Sequence, residues 1–232
     1  MFSSFSSKFA FGRNGFLPVV SDPKITTTTP GTSTPTYGSG GAAWNSTLDN
    51  ALVNDGYNLL ITANADDSNA GFNIPFTFYI YGASGTALYP GSNTYITLNS
   101  GSSLYSSLSL TTPRPAIAGI HLGSGDNSWQ RVWYKTSSTV AMIRYEGNGT
   151  TSGVSGSPGL VYEASFYKSN GANQYIQIKI GNHTRTTGVF GITDGVGTSS
   201  LSFGTIAQNT NYVIKTDGNG NNPQIFVGTY TP

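Results

Sequence analysis

Glu146 and Glu163, with His121 and His183, are the first side chains to ask about when looking for proton chemistry in this chain. A glycan hydrolase needs two carboxylates flanking a cleft, one to protonate the leaving oxygen and one to act as base or nucleophile. Glu146 ends the extended run Val140 to Glu146, and Glu163 lies within Leu160 to Tyr167. Each is the single acid of its run. Alternation puts Glu146 on a face with Val140, Met142 and Arg144, and Glu163 on a face with Val161 and Tyr167. A structural pairing with Arg144 or Arg131 accounts for both acids without a cleft, and that reading is preferred. His121 lies in the apolar run Ala116 to Leu122, where a hydrogen-bonded, half-buried imidazole is expected rather than a base. A Ser-His-Asp arrangement would need a positioned serine, but Gly153-Val-Ser-Gly-Ser-Pro158 has the wrong spacing for a nucleophile elbow.

Two oxygen-rich stretches could hold calcium. Asp217-Gly-Asn-Gly-Asn-Asn222 alternates oxygen side chains but carries one carboxylate and no closing acid. Asn-Gly and Asp-Gly supply positive φ at little cost, so a hairpin turn is expected there. Asp66-Asp67 with Asn69 offers two adjacent carboxylates but reads as a solvated turn. No cysteine is present, which excludes disulfides, thiolate zinc sites and thiol nucleophiles. No catalytic residue, metal or cofactor is therefore expected.

Aromatic side chains remain. Trp129, Arg131 and Trp133 share a face with Lys135, a composition expected for contact with a glycan or a neighbouring subunit rather than for a closed core. Phe2, Phe5, Phe9, Phe11 and Phe16 crowd the first sixteen residues. Disordered tails are poor in aromatics, so this arm is expected to dock on a partner. The sequons at Asn45, Asn148 and Asn182 carry little weight in a chain so rich in Asn, Ser and Thr.

These residues must be positioned by strands. Phe72, Ile74, Phe76, Phe78 and Ile80 occupy alternate positions of one stretch, so a strand sends all five to one face. Burying each is worth roughly 1.5–3 kcal/mol, which makes this the organising core strand. Pro75 lacks a ladder donor and predicts an edge position or a bulge. Trp129–Lys135 and Val140–Glu146 read as a hairpin across Thr136-Ser-Ser-Thr139. Ile176, Ile178 and Ile180 alternate with Gln177 and Lys179. About ten to twelve short strands with Gly, Asn and Asp turns predict an antiparallel sandwich, jelly-roll-like, preceded by an extended N-terminal arm. Trp44 to Val53 is the single helical candidate. The expected division is an arm over 1–20, a Thr/Pro/Gly-rich linker over 21–56, and the sandwich over 57–232.

Of the 232 residues, 9% are charged and the formal net charge is +1. That balance gives no reason to expect nucleic acid or an anionic membrane as partner, and it favours close packing of identical subunits, a trimer among them. No run approaches the ~18 apolar residues of a membrane helix. Met1 to Arg13 has no uninterrupted apolar core of signal-peptide length, so exit by assembly or lysis is expected rather than classical secretion.

From Asp66 to Glu146 the order of motifs resembles a nidogen-type β domain and similar domains of tailed-phage structural proteins. The elements are the Asp66-Asp67 turn, Phe76-Thr-Phe78, Asn93 to Leu98, a Pro-bounded connection to Ile117, Val132-Trp-Tyr134 and Ile143 to Glu146. Leu160 to Tyr167 fits the same pattern. Where such domains carry Asn-Gly before the aromatic strand, this chain has Asn93-Thr94. The resemblance implies a non-enzymatic virion protein, its arm on capsid or tail proteins and its sandwich exposed for host attachment, on a tail fibre or as capsid decoration. A carbohydrate-binding module or sandwich-fold hydrolase is the alternative of another class.

Overall fold

The computed structural model describes residues 22–31, 52–62, 68–92, 95–102, 116–118, 131–147, 159–180, 190–196, 199–203, 207 and 209–232. It is a two-layer antiparallel β-sandwich. One sheet has eight strands in the order β1 (Ile25–Thr27), β14 (Gln224–Tyr230), β13 (Thr210–Asp217), β10 (Asn173–Ile180), β9 (Gly159–Tyr167), β8 (Val140–Gly147), β7 (Arg131–Thr136) and β2 (Asn58–Ile61). The other has six: β12 (Ser200–Phe203), β11 (Phe190–Thr193), β6 (Ala116–Ala118), β5 (Tyr95–Leu98), β4 (Ala83–Pro90) and β3 (Phe72–Ile80). The chain crosses between sheets after β2, β6, β10 and β12. Among the described residues, helix is confined to a turn at 52–54; the rest of the Trp44 to Val53 candidate lies outside them.

The alternation read in β3 is realised residue by residue. Phe72, Ile74, Phe76, Phe78 and Ile80 are buried, while Asn73, Pro75 and Thr77 are exposed. Phe78 meets Phe166 of the facing sheet edge-to-face, centroids 5.0 Å apart. The main core continues through Leu88, Ile96 and Ile192 on the six-stranded side, and through Ile143, Ala164, Ile176, Ile178 and Ile214 on the other. Pro75 satisfies both expectations at once. It sits on an edge strand, and the pairing of β3 with β4 shifts register between Asn73 and Phe78.

That edge is closed by the opposite sheet. The buried carboxamide of Gln174 accepts from the Tyr79 N–H (3.0 Å) and donates to the Tyr79 carbonyl (2.7 Å), as a neighbouring strand would. Beyond it, Tyr81 and Gly82 form the two-residue turn to β4, both at positive φ (47° and 80°). Their N–H groups donate to the carbonyls of Gly220 and Asn219. Gly220 is required by this approach, since its φ is 78° and a Cβ there would lie 2.6 Å from the Tyr79 carbonyl.

Residues 21–56 are not simply a linker. Ile25–Thr27 pairs with Gly228–Tyr230 as β1, extending the large sheet at its edge, and Leu52 and Tyr57 are buried against the same sheet. The Thr/Pro composition hid this because three residues of pairing leave almost no periodicity to read. The five arm phenylalanines lie outside the described residues.

Candidate functional site

The face of the eight-stranded sheet turned away from the main core carries the ionisable residues. Antiparallel register places Trp133 opposite Arg144, Arg144 opposite Glu163, and Glu163 opposite Lys179, so four neighbouring strands line these side chains up on one face. Arg131 stands opposite Glu146 in the same way. Arg144 Nε contacts Glu146 Oε1, Arg144 Nη1 lies 3.4 Å from Glu163 Oε2, and Lys179 Nζ lies 2.8 Å from Glu163 Oε1. The Tyr57 hydroxyl donates to Glu163 Oε2 at 3.0 Å. Arg144 and Glu146 are wholly buried, and Glu163 is 1% exposed.

The cover over this cluster is short. Leu52, Tyr57 and Trp133 form a small apolar cluster with Met142 packed against it. The cover is closed on itself by Gly56 N–H to the Val53 carbonyl and Tyr57 N–H to the Leu52 carbonyl, both 2.9 Å. The Lys135 ammonium sits over the Tyr57 ring at 4.4 Å.

The two carboxylates have opposite electrostatics. Burial pushes the Glu146 carboxyl up to about 7, Arg144 opposing the shift and Glu163 adding to it. Burial also acts to raise Glu163, but Lys179, Arg144 and Tyr57 outweigh it and hold that carboxyl below its ordinary value. The physical difference is in partners: Glu163 is met by two cations and a hydroxyl, whereas Glu146 Oε2 is buried with no hydrogen-bond partner. Opposed carboxyls are the pattern of an acid–base pair, but here Arg144 stands between them and neither opens to solvent. Such an arrangement fixes strand register and the cover rather than presenting groups to a substrate.

A second cluster ties down β1 on the same face. Asp22 Oδ2 lies 2.6 Å from Lys215 Nζ and accepts from the Tyr175 hydroxyl at 3.1 Å, while Oδ1 accepts from the Lys24 N–H. Burial works against the charge on Asp22, but these donors prevail and lower its pKa. Tyr230 stacks on Tyr175 at 4.2 Å, and Ile25 and Val213 complete a separate apolar cluster with them. Gly228 leaves room for β1; a Cβ there would collide with the Thr26 carbonyl.

Against the sequence reading, Trp133 is corrected. It is 2% exposed, roofed by Leu52 and Tyr57, and cannot present its ring to a glycan or a subunit. Of its charged companions, Lys135 is half-buried over the Tyr57 ring, and the cross-strand neighbour Arg144 belongs to the buried ion-pair layer. Arg131 is half-buried, and Trp129 lies outside the described residues. Glu146 and Glu163 both meet Arg144, the partner expected. Asp217 caps the β13–β14 hairpin: Oδ1 accepts from the Asn219 and Asn221 N–H groups and Oδ2 from the Asn222 amide. His121, His183, Asp66, Asp67 and the Gly153 loop lie outside the described residues, among which no cluster of three or more metal-ligating side chains occurs.

Sequence reasoning missed Tyr57, Lys179, Asp22 and Lys215 as members of these clusters. Lys179 was legible as a charge facing away from the isoleucines of β10. Asp22 and Tyr57 carried no local signal, because their partners lie 153 and 106 residues away. Comparison with protein-family models, curated proteins and solved structures finds no match for the chain.

Proposed function

We propose that this chain is a non-enzymatic virion structural protein of a tailed phage, whose N-terminal arm docks on other virion proteins and whose sandwich is exposed for host attachment. The observation that supports it best is the fate of the chemistry-capable carboxylates, both consumed by an internal ion-pair layer beneath the segment 52–57. The second support is the clip formed by Asp22 and β1. It holds the chain firmly where the five-phenylalanine arm begins, so a load on the arm would pass directly into the large sheet. A tail-fibre role is put ahead of capsid decoration because the low charge and aromatic arm suit a subunit packed with copies of itself and projecting from the particle. Burial of Trp133 leaves the glycan reading with Trp129 and Arg131 alone.

The test is fractionation of source particles with antibody to this chain, together with a full-length variant carrying Phe2, Phe5, Phe9, Phe11 and Phe16→Ser. The chain is expected to copurify with capsid and tail proteins, and the variant to keep the same circular dichroism but fail to incorporate. Absence from particles overturns the virion reading. Incorporation of the variant at the wild-type level overturns arm docking and moves attachment to the sandwich.

A further inference from the structure

Glu146 is the one member of the buried layer whose charge is poorly provided for. Among the described residues, the ionisable groups sharing its face are Arg131, Lys135 and Arg144 from β7 and β8, Glu163, Tyr167, Tyr175 and Lys179 from β9 and β10, Tyr57 from the cover, and, farther along the sheet, Lys215 with Asp22. Of these, Arg144 is the group that contacts its carboxylate, and that guanidinium also serves Glu163. Its other oxygen, Oε2, has no partner. A buried carboxylate in that position gains most from water, and a proton removes the need for it.

The same site has a part able to move. Residues 52–57 are joined to the sheet through Tyr57, a 3.4 Å contact from Lys135 Nζ to the Asp55 carbonyl, and a small cluster of their own, separate from the main core. Val53 at 57% exposed shows how little of the segment is buried beyond Leu52 and Tyr57. Local opening draws on segments of this kind, with few buried contacts and short-range backbone bonds.

We propose that residues 52–57 form a proton-linked cover: a charge on Glu146 favours lifting of the cover and entry of water to the Arg144–Glu146–Glu163 cluster, and a proton on Glu146 closes it. In the closed form the carboxyl titrates near 7; once hydrated it returns toward its ordinary 4.5. By linkage the ratio of open to closed cover then rises with pH, by at most tenfold per unit, and levels off above about 7. Glu163 is ionised in both forms over this range and adds no slope. The inference does not depend on the virion role, because its readout involves neither particle nor partner.

Hydrogen exchange on the full chain tests it, followed at the Gly56 and Tyr57 amides and corrected for intrinsic rate. From about pH 5.5 to about pH 8 their opening should increase roughly thirtyfold, while amides of β9 and β10 change far less. In Glu146→Gln, which holds the neutral form with nearly the same shape, the dependence should vanish. A flat profile in the wild type, or a slope retained in Glu146→Gln, overturns the proposal. So does an equal slope at β9 and β10, which would mean that the whole sandwich opens rather than the cover. Glu163→Gln removes the Tyr57 acceptor's charge and should raise opening at every pH while keeping a slope; loss of the slope there would assign the titration to Glu163 instead.

Discussion

Replacing Arg144 by Met keeps the length of the side chain and removes the one cation shared by two buried carboxylates. In the folded wild type Arg144 is fully buried against Glu146 and Glu163. Breaking a buried pair from one side costs about 3–5 kcal/mol, mostly the penalty of the charge left behind. Here the two survivors differ. Glu163 keeps Lys179 at 2.8 Å and the Tyr57 hydroxyl at 3.0 Å, whereas Glu146 loses the guanidinium that contacts it. The cost therefore belongs mainly to Glu146 and should depend on its proton. At pH 8 Arg144→Met should lose about 3–5 kcal/mol; at pH 5, with Glu146 neutral, the loss should fall to about 1–3 kcal/mol, the ordinary cost of an imperfectly satisfied buried polar group. Adding Glu146→Gln to Arg144→Met should recover at least half of the pH 8 loss. The wild type has the matching sign. Glu146, raised in the fold, stabilises the folded state most below about 4.5 and that contribution is lost as pH rises through 7. Glu163 and Asp22, lowered in the fold, contribute above their ordinary range and lose that contribution as pH falls through it. Urea denaturation at both pH values, read as midpoints at constant slope, measures all of this. A loss under about 1 kcal/mol at pH 8, or a loss that is the same at pH 5, would mean that water already reaches the cluster and that the buried-layer argument is wrong.

Phe78→Ala should cost about 3–5 kcal/mol by lost transfer and cavity formation, since Phe78 is fully buried against Phe166. Thr77→Ala, exposed on the opposite face, should stay within about 0.5 kcal/mol; equal sensitivity of the two in urea denaturation would refute the face assignment. Gln174→Ala should cost about 1–3 kcal/mol because it strands both backbone groups of Tyr79 at the sandwich edge, and faster exchange of the Tyr79 amide relative to its neighbours checks it.

The fold was legible wherever one face of a strand is apolar and the other wet. In β3 the five alternating apolar residues could be assigned without knowing a single neighbour, and Pro75 reported its edge position because a missing donor is a local fact. The same rule misled on the large sheet, which is covered on both faces. There Ile143 and Tyr145 are buried toward one layer, and Arg144 and Glu146 toward the other. Period two still separates the faces, but it cannot say that the charged face is closed. Trp133, 2% exposed, looks like a surface residue in the sequence for that reason. What closes the face comes from Asp22 to Thr27 and from Leu52 and Tyr57, stretches too short to carry periodicity of their own. Their role is defined by side chains far along the chain: Lys215 and Tyr175 for Asp22, Glu163 for Tyr57. Gln174 carries the same lesson in another form. A glutamine within a strand looks like any polar position facing water, and only the facing sheet reveals that its amide takes the place of a missing neighbour strand. The residues hardest to read are thus those that join one layer to another, because the joint is specified by both partners and neither sequence neighbourhood holds more than half of it.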